Sequence, residues 1–179
     1  MSLDALKASL PDYAKDLRLN LDSVLTEGGA PGLELRQLRA VALASAIGSR
    51  HRPLVEALEG VAAESLAPAE IAGVRAAAAM MAMTNVYYRF THLLSNKEYE
   101  TLRAGLRMNV MRDPGIDKAS FELCALAVSA VNGCGACVDS HEKTLREHGV
   151  SAQGVQSAAR IAAVVHAVAV TLEQMQAAA

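Results

Sequence analysis

Residues 122–145 read ELCALAVSAVNGCGACVDSHEKTL. From Glu122 to Val131 the residues are apolar on nearly every face, and no glycine or proline interrupts them. That is the pattern of a buried helix. Asn132-Gly133 then breaks the run. A second helix opens at about Cys134 and continues to Glu147. Two helices joined by a tight break set an all-α reading, and the rest of the chain follows the same rules.

Working outward, apolar residues recur at helical spacing over 3–25, with Pro11 breaking or restarting that segment. TEGGAPG, ending at Gly32, is a loop. Helices are expected over 33–47 and 53–66. Pro68 suits the first turn of a longer helix reaching about 94. SNKE is a turn, with a short helix expected from there to Met108, and RDPGID is a break. The helix that carries Glu122 starts near Lys118 and runs to Val131. The last helix runs over 151–174, with Ser151 as its N-cap. No segment alternates as a strand does. The expectation is an all-α helical bundle, a single domain over 1–179, with no sheet.

A weak internal two-fold repeat is visible, with halves at about 31–94 and 114–176. Pro31-Gly32-Leu33 and Pro114-Gly115-Ile116 each precede an apolar helix. A shift of about 84 residues aligns SAIGS at Ser45 with SAVNG at Ser129. The first copy then has Arg50, Pro53 and Ala57 where the second has Cys134, Cys137 and His141. One half would be scaffold and the other would carry chemistry.

The formal net charge of the chain is −2 and no stretch is strongly basic, which argues against nucleic acid as the main partner. The start, MSLDALKASLPDYAK, lacks the basic flank and apolar run of a secretory signal. AAAAMMAMTNVYY, between Arg75 and Arg89, is too short to span a bilayer, so no membrane partner is expected. The expected place is the cytoplasm, where thiols stay reduced. A close cysteine pair there is redox-active or metal-binding more often than a structural staple.

A thiol near a helix N-terminus meets the positive end of the backbone dipoles and several free N–H groups, which favour the thiolate. Two thiols three apart can close a small ring with little chain movement. Such a ring adds little loop entropy, so its use is redox. His141 lies one turn after Cys137 on the same face and can exchange a proton with it. Glu122 is isolated among apolar residues, and burial would require a partner for it. Taken singly, His141 and Glu122 read as solvated residues; beside the thiol pair they read as function. Cys124 reads as inert core. Met80, Met81 and Met83 read as core packing. His51, His148 and His166 read as structural or exposed, and Tyr87, Tyr88 and Arg89 as packing at a helix end, with a pocket lining as the alternative. A rival reading is a zinc-binding module in which Cys134, Cys137 and His141 hold the metal, with Glu122 as fourth ligand. No second CxxC exists to complete the usual set.

The full pattern is Glu122, eleven residues, Cys134-Gly-Ala-Cys137, three residues, His141. It resembles the AhpD-like alkyl hydroperoxide reductases of the carboxymuconolactone decarboxylase-like superfamily. LPDYAKDLRLNL, MTNVYYR and GLRMNVMRDPGIDKASFEL extend the likeness over nearly the whole chain. The resemblance implies an AhpD-like helical bundle assembled as a homotrimer, and a cytoplasmic antioxidant role without a bound cofactor or metal. It implies weak reduction of organic hydroperoxides and regeneration of the peroxiredoxin AhpC, with electrons from a lipoylated dihydrolipoamide acyltransferase. It makes Cys137 the peroxide-reacting thiol that becomes a sulfenic acid, and Cys134 the proton donor and resolving thiol. It pairs them as a Cys134–Cys137 disulfide, with Cys137 also the interchain link to AhpC. His141 and Glu122 become a proton relay acting through water. The dipole argument alone does not choose between the two cysteines. Some relatives have a histidine between them; here that position is Ala136. Two further alternatives are a general protein-disulfide or lipoamide-linked reductase with little peroxidase activity, and a lyase. A lyase has no need of paired thiols.

Overall fold

The structure, a computed structural model, describes residues 1–177. Residues 178 and 179, which the single-domain reading includes, lie outside the described part. Among the described residues there are helices and no strand. The chain is all-α, as its periodicity implies. Ser2 caps α1 (Leu3–Ser9), its hydroxyl accepting from the Ala5 N–H at 3.2 Å. Pro11 does interrupt the first segment: a 3₁₀ turn at Asp12–Ala14 leads into α2 (Lys15–Val24). Then come α3 (Leu35–Ser49), α4 (Arg52–Ala63) and α5 (Pro68–Leu93). The short helix expected to reach Met108 is only one turn, α6 (Glu98–Thr101). Gly105, at φ 66°, lies in the left-handed region that a helix cannot continue through, and a 3₁₀ turn follows at Asn109–Arg112. The chain ends with α7 (Lys118–Val131), α8 (Gly135–Glu147) and α9 (Ala152–Ala177). Ser151 caps α9, its hydroxyl accepting from Gly154 N–H at 3.0 Å.

Helices α3 and α7 lie at the centre and are buried almost all round. On one side Leu38, Val41 and Ala46 of α3 join Leu123, Leu126 and Ala127 of α7 in a core with α2 and α9. On the other, Ala40, Leu43 and Ala44 join Phe121, Cys124, Ala125 and Val128 against Val74, Ala77 and Met81 of α5. The alanines let the central helices approach closely. Each large side chain buried here stabilises the fold by about 1.5–3 kcal/mol, so α7 is drawn inward along its whole length. Glu122, in the middle of it, goes inside with its neighbours and is 4% exposed.

Helix α9 is apolar and long enough, over Ala152–Met175, to cross a membrane by length and composition, and half of that window is buried inside the protein. Its Ile161, Val165, Val168 and Leu172 complete the first core. Helix α5 continues past its buried part and exposes Val86, Phe90 and Leu93 on one face.

The two Pro-Gly turns dock in the same manner. Gly32, at φ 83°, lies against Gly154 in the first turn of α9, and Gly115, at φ 80°, lies against Ala69 in the first turn of α5. A Cβ at Gly73 would stand 2.7 Å from the Pro114 carbonyl oxygen and 2.7 Å from Ile116. Gly73→Ala should therefore destabilise the protein by about 1–3 kcal/mol in urea unfolding, its helix propensity notwithstanding. Gly60 in α4 has open space around it. Gly60→Ala should do the opposite and stabilise by about 0.5–1 kcal/mol.

Candidate active site

The end of α7 is built to place the thiols. Gly133 takes φ 68°, which a residue with a Cβ adopts at a cost. The Gly133 N–H donates to the Ala130 carbonyl at 3.1 Å, and the Cys134 N–H donates to that of Ser129 at 3.0 Å. This 6→1 and 5→2 pair closes α7 and turns the chain straight into α8. Helix α5 braces the turn. Arg89 Nη1 donates to the Asn132 carbonyl at 2.6 Å, Asn132 donates to Asn85 at 3.0 Å, and Asn85 donates to Ser129 at 2.9 Å. Arg89, read from sequence as packing, holds the break itself.

Cys134 is the N-cap of α8 and Cys137 is its third residue. Their sulfurs stand at disulfide distance and their Cα atoms are 5.3 Å apart, inside the range a disulfide spans. Cys134 is fully buried, whereas Cys137 is 7% exposed and opens on a cavity. Cys124 belongs to the second core. Burial pushes its thiol well above the usual range, so it stays protonated and inert.

Glu122 meets the other two polar groups directly. Its Oε2 lies 2.6 Å from His141 Nδ1, and its Oε1 accepts from Lys118 Nζ at 2.6 Å. Burial alone raises the Glu122 pKa. The hydrogen bonds from His141 and Lys118 outweigh that and hold it below its ordinary value. The acid is thus an anion clamped at both oxygens. It orients the imidazole of His141, which is itself buried. The thiol pair sits at the α7–α8 junction, and about two turns further along the facing helices His141 and Glu122 are in direct contact.

Three contributors escaped the sequence reading. Lys118 stands one turn before Glu122, so its i,i+4 spacing was the available signal. Met81 and His92 arrive from α5, far away in the chain. A cavity of about 420 Å³ brings Cys137 and His141 together with Met81, Thr84, Tyr88, His92, Met108 and Met111. Its wall is mostly apolar and rich in thioethers. A second, more open cleft of about 900 Å³ shares His92, Ala136 and Ser140 with it and continues past Arg89 and Lys143 to the surface. Of the other histidines, His51 is buried with its Nδ1 2.6 Å from Glu173, a structural place, and His148 and His166 are exposed.

The lowered pKa of Glu122 gives a pH signature. A group whose folded pKa lies below its unfolded one stabilises the fold above the ordinary value, 4.5 here, and loses that contribution as pH falls through the folded value. Glu122→Gln should be less stable than wild type by about 1–3 kcal/mol at pH 7. Denaturant titrations should show that gap closing as the pH drops below the carboxylate range.

The carboxymuconolactone decarboxylase family matches residues 97–179, the half that carries the thiols. Similarity to individual proteins runs through the whole chain. It is 55% identical over 173 residues to an alkyl hydroperoxide reductase AhpD of Streptomyces coelicolor, covering 97% of this chain and 96% of that one. It is 51% identical over 173 residues to an AhpD of Rhodopseudomonas palustris, covering 97% and 94%. It is 52% identical over 179 residues to an AhpD of Methylobacterium, covering 100% of both. With that identity over nearly its full length, the chain belongs to the AhpD family of alkyl hydroperoxide reductases.

Proposed function

We propose that this protein is a cytoplasmic thiol peroxidase and disulfide reductase that works through Cys134 and Cys137. One observation carries the reading: two thiols at disulfide distance open a helix, with His141 one turn along and clamped by buried Glu122. The helix N-terminus favours a thiolate, and the histidine is placed to take the proton. Cys137 lines the cavity, so it is the sulfur a substrate meets first.

The Cys137 thiolate attacks the terminal oxygen of a hydroperoxide. The O–O bond breaks, Cys137 becomes a sulfenic acid, and the alkoxide leaves as the alcohol after taking a proton from His141. The Cys134 thiol then attacks the Cys137 sulfur. Its proton leaves with the hydroxyl as water and the disulfide closes. An external dithiol attacks that disulfide, and two exchanges restore both thiols while the donor becomes a cyclic disulfide. The names of the relatives point to hydroperoxide as oxidant, and the mostly apolar cavity suits an organic one. A lipoyl group on a dihydrolipoamide acyltransferase is the dithiol we assign. The peroxiredoxin AhpC is the protein disulfide we assign as the downstream substrate, linked transiently through Cys137. The exposed stripe Val86, Phe90 and Leu93 is apolar surface that a homotrimer would cover.

A zinc module is the weaker reading. Both oxygens of Glu122 are already engaged, one of them by the Lys118 ammonium, and a cation so close opposes a second cation.

Cys137→Ser should abolish peroxide turnover, while Cys124→Ser leaves it nearly intact. In a Cys134→Ser background, a sulfenic-acid reagent should label Cys137 after peroxide treatment. A Cys124 variant as inactive as the Cys137 one would show that the wrong sulfur has been chosen. Dihydrolipoamide should reduce the oxidised protein faster than glutathione or thioredoxin. Preference for thioredoxin would remove the lipoyl assignment.

A further inference from the structure

We infer that Met81 is a positioning residue for His141, an inference that rests on the relay reading above. Met81 Sδ lies 3.1 Å from His141 Nε2, while Nδ1 of the same ring meets Glu122 at 2.6 Å. The imidazole is held at both nitrogens, by a carboxylate on α7 and a thioether on α5. A thioether sulfur is a weak acceptor that ordinarily fills apolar space. One further donor reaches it, the amide of Asn85, whose Nδ2 lies 3.7 Å from Sδ and gives its other hydrogen to Ser129. Core packing alone would be met by a leucine of similar volume. The close approach of the sulfur to a buried imidazole nitrogen is what packing leaves unexplained.

The proton transfer gives the arrangement a use. With Nδ1–H donating to Glu122, Nε2 is the basic nitrogen. When Nε2 takes the thiol proton from Cys137, the ring carries N–H at both nitrogens, and both need acceptors in a buried site. Glu122 supplies one and Met81 Sδ the other. An oxygen acceptor would bind that N–H more firmly. Sulfur accepts it without trapping the proton, which then passes from Nε2 to the departing alkoxide and forms the alcohol. Met81 thereby favours the thiolate–imidazolium pair over the neutral thiol and imidazole. Met81, Cys137 and His141 all line the same cavity.

The thiolate titration of Cys137 tests this directly. The titratable groups around the ring are Glu122 and Lys118 from α7, Tyr88 and His92 from α5, and Cys137 on its own helix. All variants are therefore compared in one reduced Cys134→Ser background, and the ultraviolet absorbance of the thiolate is followed against pH. Met81→Leu keeps the volume and removes the acceptor. Its midpoint should move up, leaving about three- to tenfold less thiolate at neutral pH. Met81→Gln returns an acceptor at similar length and should move the midpoint back. Met80→Leu, on the partly buried neighbour, should leave it in place. His141→Gln should move it at least as far as Met81→Leu. If His141→Gln shifts the midpoint and Met81→Leu does not, Met81 is only packing and the relay stands. The inference also fails if Met81→Gln behaves like Met81→Leu, or if Met80→Leu shifts the midpoint as much. If His141→Gln itself has no effect, the relay falls and this inference with it.

Discussion

A carboxylate inside a hydrophobic helix is tolerated only when it is paired, and that constraint organises this protein. Helix α7 is pulled into the centre by Phe121, Leu123, Leu126 and their neighbours, all buried. Glu122 cannot escape to solvent without unpacking two cores. Left alone, an ionised carboxylate there would take up a proton. Lys118 and His141 keep it ionised instead. The interaction that makes the fold acceptable is therefore the one that fixes the position and tautomer of the base.

The thiols depend on the same helix. Because α7 ends at Asn132 and reverses through Gly133, α8 begins where α7 stops, and His141 falls back onto Glu122 one turn after Cys137. The brace from Arg89, Asn85 and Ser129 fixes that turn from α5. The same α5 face delivers Met81 and Thr84 to the cavity. Reactive sulfurs, base and acid are thus held by α7 and α8, and α5 closes the substrate space together with Met108 and Met111 from the segment before α7.

The helices were legible because buried helices repeat at 3.6 residues and proline and glycine mark their ends. The one expectation that shrank, the helix toward Met108, ran through Gly105, whose positive φ ends regular structure. The thiol pair, His141 and Glu122 were legible as chemistry out of place, and the family resemblance chose between the two sulfurs. Lys118 was legible in principle from its spacing to Glu122. Met81 was not. Its methionine neighbours made packing the reasonable reading, and only the crossing of α5 over α8, some 60 residues apart in sequence, brings its sulfur to His141. Arg89 and Asn85 were hidden for the same reason, since their partners are a backbone carbonyl, an amide and a hydroxyl without any sequence signature.

The claim that Glu122 and His141 act as one coupled base is tested most directly by a double-variant cycle on peroxide reaction with Cys137. Glu122→Gln and His141→Gln should each slow the reaction at pH 7 by about a hundredfold, the range for removal of a general base. The double variant should be little slower than either, because residues that act as a unit do not contribute additively. Higher pH should restore much of the rate, as hydroxide then makes the thiolate unaided. Losses that multiply in the double variant, or that persist unchanged at high pH, would make Glu122 a structural acid with no share in the proton transfer.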